Sequence, residues 1–263
     1  MTARLSTAFR AVWPPVLLGA ALLALWQWVV RGFDLKPFFL VAPSDIASKF
    51  TDNWSNIWSA MQVTGINAAY GLLFGALSGV ALSFLLSRWK LLDELVTPIS
   101  IAINSIPAFV LVPVFNNMFG TTSVVPRRLM VTIVVFFVVL VNVSKGLRQV
   151  QPVHAELMRS YAASGWTVLR KVRVPNAIPY LFTALRISAP LAVIYAYVAE
   201  YVGGAQTGLG SRITSNIANS KNAAAWAYVF GACLLGLTFY LVATLLESLA
   251  TPGGTTQRNR DGN

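Results

Sequence analysis

The chain has 263 residues, of which 56% are hydrophobic and only 11% are charged, and its formal net charge is +11. This composition and the mean hydropathy of +0.63 exclude an ordinary soluble domain and predict an integral membrane protein. Lysines and arginines flank apolar runs instead of forming one basic face, so we expect no nucleic-acid partner. The single Cys233 excludes a disulfide framework, and His154 lacks the neighbouring ligands of a metal site.

Six apolar runs predict an all-α membrane protein with about six transmembrane helices. About 20 helical residues span the hydrocarbon core, because the helix rises 1.5 Å per residue. The predicted spans are residues 12–30, 61–87, 95–119, 129–144, 180–202 and 223–246. Residues 1–11 form a cytoplasmic segment in this prediction, residues 145–179 form a cytoplasmic loop, and residues 251–263 form a disordered cytoplasmic tail. The β-branched run of the fourth span is interpreted as a short transmembrane helix and not as a buried strand, because Arg128 and Lys145 flank it.

A row of glycines marks the second span. Gly71, Gly75 and Gly79 recur every fourth residue and therefore share one helix face. In a bilayer such a row lets another backbone approach closely. Packing within the same subunit and packing across a dimer are both open alternatives.

The third span is interrupted by prolines and polar residues. Asn104, Ser105 and Pro107 stand at membrane depth, where irregular backbone persists only if it is buried in protein or lines a wet cavity. These residues are the first candidates for a translocation pathway, with a simple packing kink as the alternative.

The fifth span contributes two further pathway candidates, Tyr195 and Glu200. An ionisable group at the bilayer centre costs about 3 kcal/mol and less near an interface, so Glu200 should face protein or water. Two roles remain open for Glu200, namely ion pairing or capping within the protein and contact with the transported solute.

The loop 145–179 is the longest polar segment between apolar runs. Pro152 predicts a helix start, because a proline in the first turn loses only an amide without an intrahelical partner. Val153, Leu157 and Tyr161 then recur at a spacing of four residues and form one apolar face.

A second short helical turn follows in the same loop. Ser164 and Gly165 interrupt the first helix, and Trp166 begins the second amphipathic turn. Pro175 and Pro179 are predicted to end it, because each disfavours a helical conformation at the preceding residue. Placing this loop and both termini in the cytoplasm puts most lysines and arginines on that side, as the positive-inside rule requires.

The loop carries three sequence features at fixed spacing. They are Glu156-Leu157-Met158, then Ala162-Ala163-Ser164-Gly165-Trp166, and finally Val172-Arg173-Val174-Pro175-Asn176-Ala177-Ile178-Pro179. Together they resemble the EAA loop in the permease subunits of binding-protein-dependent ABC importers. The chain departs from the family pattern in having Leu-Met for Ala-Ala and Ala162 for the glycine.

This resemblance implies a type I ABC importer permease fold with a coupling-helix loop that docks into a groove on a separate ATPase. Leu157 and Tyr161 would supply the apolar anchors, and Glu156 and Arg159 the polar contacts. The residues that the resemblance assigns to this loop are Glu156, Leu157, Arg159, Tyr161, Ala162, Ser164, Gly165, Trp166, Pro175 and Pro179. The implied partners are ABC ATPase subunits, an extracellular or periplasmic solute-binding protein and a second permease copy.

Catalytic chemistry is not expected in this chain. The sequence contains no G-x-x-x-x-G-K-[ST] segment, so it has no P-loop for ATP phosphates, and one histidine offers no Ser/His/Asp set. The resemblance implies that ATP and Mg²⁺ bind to the partner ATPase and not to this chain, and that this chain spans the bacterial inner membrane several times. The alternatives from other classes are a secondary transporter and a non-transport membrane scaffold.

Short segments suggest a branch of the family. Ala42-Pro43-Ser44 after the first span and Ser164-Gly165-Trp166 in the loop resemble the nitrate, sulfonate and taurine importers, a branch that includes importers of thiamine-precursor pyrimidines. The expected solute is small and polar, and the basic outer loops favour an anion. Gly208-Leu209-Gly210 resembles the segment that follows the fifth span in relatives.

Overall fold

The computed structural model describes residues 2–88, 107–204 and 207–250, and the regular structure of these residues is helical. The helices are α1 Thr2–Gly32, α2 Pro43–Asp52, α3 Trp54–Arg88, α4 Leu111–Phe119, α5 Val125–Arg148, α6 Pro152–Ser160, α7 Gly165–Val168, α8 Val174–Val202, α9 Leu209–Ala218 and α10 Asn222–Ala250. A 3₁₀ turn, Ala108–Val110, leads into α4, and a π-helical turn, Leu169–Arg173, joins α7 to α8.

Five helices of the described residues are long and apolar enough to cross a membrane. They are Trp13–Gly32, Trp54–Ser87, Val125–Arg148, Gly165–Val202 and Asn222–Ala250. The predicted third span falls partly on residues 89–106, which lie outside the described residues, and partly on the shorter apolar helix Ala108–Phe119. The β-branched run of the fourth span is helical, as predicted, within α5.

The chain divides into two compact units. The first unit comprises Met1–Trp58 and Arg212–Gly231. In this unit the Arg31 guanidinium pairs with Asp45 at 2.6 Å, and the Gln27 side chain exchanges two hydrogen bonds with Ser44 at 3.1 Å. These contacts hold the start of α2 against the end of α1.

The second unit comprises Ser59–Ser211 and Ala232–Asn263. Its core lies around α5, whose valines are completely or almost completely buried at every fourth position. The buried members of the core are Ala68, Val131, Val135, Val139, Val143, Leu147, Ala177, Ala184, Ala192, Val193 and Ala196. Because alanine and valine dominate, the helices approach each other closely, as small residues allow in membranes.

The contacts of α5 define the directions of its neighbours. Gly71 of α3 lies against Val131 and Gly79 against Val139, so α3 and α5 run parallel. Gly146 near the end of α5 lies against Tyr180 near the start of α8, so these two helices run antiparallel.

The parallel arrangement of α3 and α5 has a consequence for the chain between them. Because Val131 lies opposite Gly71, the start of α5 is about 35 Å back along α3 from its last residue at 1.5 Å per residue. This length exceeds the hydrocarbon core of about 30 Å. The end of α3 and the start of α5, which the intervening chain joins, are therefore about one membrane thickness apart.

Candidate functional site

The first helix of the coupling loop (residues 145–179) presents large apolar side chains to its surroundings. Helix α6 begins at Pro152, as predicted, with Gln151 as its N-cap residue. Val153, Leu157 and Tyr161 are 69%, 46% and 74% exposed, and Trp166 beyond them is 69% exposed. We call these four residues the apolar ridge. Several large apolar side chains exposed on a polar loop favour a protein-binding surface.

The turn after α6 shows why the family pattern has a glycine at the position that Ala162 occupies in this chain. Ala162 adopts a left-handed conformation with a φ of 46°. The amide of Ala163 donates to the Met158 carbonyl at 3.0 Å, and the Ala162 amide donates to the Arg159 carbonyl at 2.9 Å. This pair of bonds is the Schellman motif, in which glycine usually occupies the left-handed position. Alanine adopts the same turn at a steric cost of about 1–2 kcal/mol.

Ser164 begins the second helical piece. Its Oγ accepts a hydrogen bond from the Thr167 amide at 3.3 Å and lies 2.9 Å from Thr167 Oγ1. This N-cap supplies a partner to one of the first amides of α7. Gly165 has open space around the position of a Cβ, so packing does not require a glycine there.

Pro175 and Pro179 do not end the helical loop segment, so that prediction is wrong. The π turn Leu169–Arg173 continues directly into α8, which begins at Val174 and contains both prolines. Pro175 lies in the first turn, where its missing amide has no intrahelical partner to lose. Contacts with α5 stabilise the helical path through Pro179.

Asn176 contributes two hydrogen bonds to those contacts. Its Nδ2 donates hydrogen bonds to the Gly146 carbonyl at 2.7 Å and to the Gln149 carbonyl at 3.0 Å. Asn176 thus provides a donor to carbonyls at the C-terminal end of α5, where intrahelical donors run out. Tyr180 Oη lies 3.0 Å from Gln149 Oε1. A Cβ on Gly146 would lie 2.9 Å from the Ala177 Cα, so the two backbones are nearly in contact. The sequence indicated Asn176 only as part of a motif, without this role.

The polar contact candidates Glu156 and Arg159 are both exposed on α6. They are three residues apart and therefore share a side of the helix. Arg170 and Lys171 are exposed on the π turn. The coupling loop therefore combines an apolar ridge with mainly basic polar groups.

The glycine row packs against α5 of the same chain. A Cβ on Gly75 would lie 2.7 Å from the Thr132 carbonyl and 2.7 Å from the Val135 Cβ, and Gly71 and Gly79 meet α5 in the same way one turn before and after. The glycine face therefore packs within the subunit, which is one of the two alternatives that the sequence left open beside packing across a dimer.

At the other end of α8, the Glu200 side chain is fully buried. Its carboxylate accepts hydrogen bonds from Thr64 Oγ1 at 2.8 Å, the Gly210 amide at 3.2 Å and Asn67 Nδ2 at 3.4 Å. Thr64 Oγ1 in turn accepts from the Leu209 amide at 2.9 Å. The carboxylate thus caps the first turn of α9, where a negative charge is favourable, and joins it to α3.

Glycines 208 and 210 allow this approach. Gly208 has a φ of +103°, and a Cβ on either glycine would overlap the Glu200 side chain. The buried Glu200 carboxylate therefore requires glycines at both ends of the Gly208-Leu209-Gly210 segment.

A second polar layer surrounds Asn67. Its Oδ1 accepts a hydrogen bond from Arg128 Nε at 3.2 Å, and the Arg128 guanidinium carbon lies 4.1 Å from the centre of the Tyr70 ring. Sequence reasoning missed Thr64 and Asn67, and the available signal was their polarity within an apolar span.

The pathway candidates do not form one cluster among the described residues. Asn104 and Ser105 lie outside the described residues, and Pro107 is exposed at the start of the 3₁₀ turn. Tyr195 is half-buried against the cluster that contains Val112 and Met130. The Glu200 carboxylate has no exposed surface.

Comparisons with known proteins agree with this architecture. Residues 71–252 match the family described as "Binding-protein-dependent transport system inner membrane component". A formylaminopyrimidine transport permease of Halalkalibacterium halodurans is 28% identical, over 90% of this chain and 94% of the relative. A riboflavin transport system permease of Chloroflexus aurantiacus is also 28% identical, over 94% of this chain and 93% of the relative.

The fold is similar to that of a solved transporter. A chain of the inward-facing MetNI methionine ABC transporter superposes with a TM-score of 0.59 at 20% identity, covering 75% of this chain and 95% of that chain. The likeness to that structure shows the type I permease fold, and the family match covers more than half of the sequence. The chain therefore belongs to the family of binding-protein-dependent transport system inner membrane components, as a transmembrane permease subunit of an ABC importer.

Proposed function

We propose that this permease conducts a small polar solute and is driven by a separate ATPase that binds its coupling loop. The observation that carries the proposal is the apolar ridge, whose side chains remain exposed on an otherwise polar loop. An amphipathic helix with an exposed apolar face is a recurrent ligand for a groove on a partner protein. Leu157 and Tyr161 would be the buried anchors of that contact, and Glu156 and Arg159 its polar partners.

The geometry of the loop supports transmission of movement into the membrane. The Schellman turn at Ala162 and the cap at Ser164 hold α6 and α7 in a defined arrangement. The π turn makes α7 continuous with α8, and Asn176 links the start of α8 to the end of α5. Closure of an ATPase pair would therefore move the ends of two spans together, as in alternating access.

The wider assembly follows from this proposal. Two permease copies, identical or different, would pair about a two-fold axis, the commonest closed symmetry, with the pathway between them. A solute-binding protein would deliver the solute on the side opposite the coupling loop, and both termini would be cytoplasmic. ATP and Mg²⁺ would bind to the partner ATPase.

Two solute classes are consistent with the chain. The relative that transports formylaminopyrimidine supports a pyrimidine of the thiamine-precursor type. The basic outer loops favour a small anion such as nitrate, a sulfonate or taurine. For Glu200 we propose the capping role, because its three hydrogen bonds to α3 and α9 leave its carboxylate without exposed surface.

The test is a double substitution on the exposed side of α6. Glu156→Lys with Leu157→Asp should lower uptake of the transported solute at least about tenfold, because it removes an apolar anchor and reverses a charge. The uptake panel comprises radiolabelled nitrate, taurine and formylaminopyrimidine, and immunoblotting checks that the membrane content of permease is unchanged. Glu156→Gln with Leu157→Met is the matched control and should retain most uptake. Unchanged uptake in the first variant would refute the docking role.

A further inference from the structure

A groove lies on the coupling loop, between α6 and the beginning of α8. Its volume is about 320 Å³. The residues that line it are Val150, His154, Leu157, Met158, Lys171, Val172, Pro175 and Asn176. The majority of these side chains are apolar. The volume is at the lower limit of ligand pockets, about 300–1,000 Å³, and suits one large side chain.

We propose that this groove receives an apolar side chain of the ATPase that is flanked by a carboxylate. The inference rests on the proposed function and adds a second, reciprocal contact to it: the loop inserts its apolar ridge into the ATPase, and the ATPase inserts a side chain into the loop.

The charge at the groove favours a carboxylate of the ATPase beside the inserted side chain. Lys171 contributes a cation to its wall, and none of the eight described lining residues is acidic. The acidic Glu156 is two residues from His154, which places it about 200° around α6 and away from the groove. An acidic neighbour of the inserted side chain would therefore meet an opposite charge without a like charge beside it.

The position of the groove argues for the ATPase as its occupant. Leu157 belongs both to the apolar ridge and to the groove wall, so the two surfaces are continuous. The opposite wall comes from Lys171 and Pro175, at the junction of the π turn and α8. A side chain inserted here would contact the docking helix and the membrane span at once.

Asn176 connects the groove to the end of α5. Asn176 lines it and donates to the Gly146 and Gln149 carbonyls of α5 and its end. Movement of the inserted side chain would therefore be transmitted to α5 and α8 both when the ATPase pair closes and when it opens. On opening, an apolar ridge alone could dissociate from the ATPase. The chain's own residues 251–263, TPGGTTQRNRDGN, contain no large apolar side chain to fill the groove.

The first experiment fills the groove. The permease in nanodiscs is titrated with its own ATPase subunits, and the dissociation constant is measured for wild type, Met158→Trp and Met158→Leu. Met158→Trp should weaken binding at least about tenfold, because the indole occupies the space of the inserted side chain. Met158→Leu conserves volume and should stay within about twofold of wild type. Equal affinities for all three proteins would overturn the proposal.

The second experiment does not depend on how Met158→Trp folds. A carbodiimide activates a carboxylate as an O-acylisourea, and a lysine amine within contact distance displaces the urea to form an amide. In the assembled transporter, mass spectrometry should find an amide between Lys171 Nζ and an aspartate or glutamate of the ATPase. Lys171→Arg keeps the charge but provides no reactive amine, so this cross-link should disappear while assembly persists.

Charge reversal completes the design. Lys171→Glu should weaken ATPase binding at least about fivefold, and more at low than at high ionic strength. Arg170→Glu, an adjacent exposed position outside the groove lining, should have less than half that effect. A Lys171 cross-link to a second permease copy, or to the chain's own tail, would overturn the assignment of the occupant.

The outcomes separate the two levels of inference. If no ATPase co-purifies with or binds to the wild-type permease, the proposed function fails. If an ATPase binds to wild type, but Lys171 forms no cross-link to it and Met158→Trp binds normally, only the groove proposal fails.

Discussion

Glu200 offers the sharpest test of how the membrane domain is held together. Substitution by alanine removes the acceptor of three hydrogen bonds, from Thr64 Oγ1, Asn67 Nδ2 and the Gly210 amide. The donors are buried, and the Gly210 amide lies in the first turn of the helix that the carboxylate caps, α9. The expected effect is therefore large.

The magnitude follows from the donors that lose their partner. Each buried donor that loses its acceptor costs about 1–3 kcal/mol. Three donors lose theirs in Glu200→Ala, so we expect the free energy of unfolding to fall by about 3 kcal/mol or more. Glu200→Gln keeps the size and one acceptor oxygen, so it should cost about 1 kcal/mol. Thr64→Val should be intermediate, because it leaves the Leu209 amide without its acceptor.

The assay has two readouts. Thermal unfolding of the purified permease ranks the three variants, and hydrogen exchange measures protection of the amides of Leu209 and Gly210. Glu200→Ala should lose that protection, and Glu200→Gln should retain most of it. The reasoning is wrong if Glu200→Gln destabilises the protein as much as Glu200→Ala, or if exchange at Leu209 and Gly210 is unchanged in the alanine variant.

Two further predictions concern glycine geometry. Gly75→Ala should destabilise the protein by about 1–3 kcal/mol, because its Cβ would lie 2.7 Å from the Thr132 carbonyl, whereas Gly236→Ala, with nothing within 4 Å of the new Cβ, should be neutral or stabilising. Thermal unfolding checks this pair, and equal stability of the two variants would contradict the close approach of α3 and α5. Ala162→Gly should stabilise the loop by about 0.5–1 kcal/mol, because relief of the left-handed strain exceeds the entropy that glycine loses. Slower hydrogen exchange in α6 is the expected readout, and faster exchange would count against it.

In the coupling loop, local sequence determines some features of the structure and tertiary contacts determine others. The helix start at Pro152 and the apolar face of α6 follow from proline chemistry and side-chain spacing, both of which are local. The helical conformation around Pro179 does not follow from local chemistry, which predicts that the helix ends there. The hydrogen bonds of Asn176 to the end of α5 favour a continuous helix instead. Those bonds join residues about 30 positions apart and are invisible to local pattern.

The same division applies to the turn at Ala162. The family pattern marks this position by its glycine, and the structure supplies the reason in a Schellman turn with a φ of 46°. Alanine has no local preference for that conformation. The carbonyls of Met158 and Arg159 stabilise it once α6 is formed.

The amino-acid sequence by itself determined the class of protein, its all-α fold, the helix start in the coupling loop and the presence of a close-packing face at Gly71, Gly75 and Gly79. These properties depend on hydrophobicity, proline and spacing, which act within a few residues of the chain. Only the tertiary structure decided that this face packs on α5, and that Glu200 caps α9. The reason is distance along the chain, since the hydrogen bond between Thr64 and Glu200 joins residues 136 positions apart. A buried carboxylate is stable only where such distant donors meet it, and their meeting is a property of the folded helices.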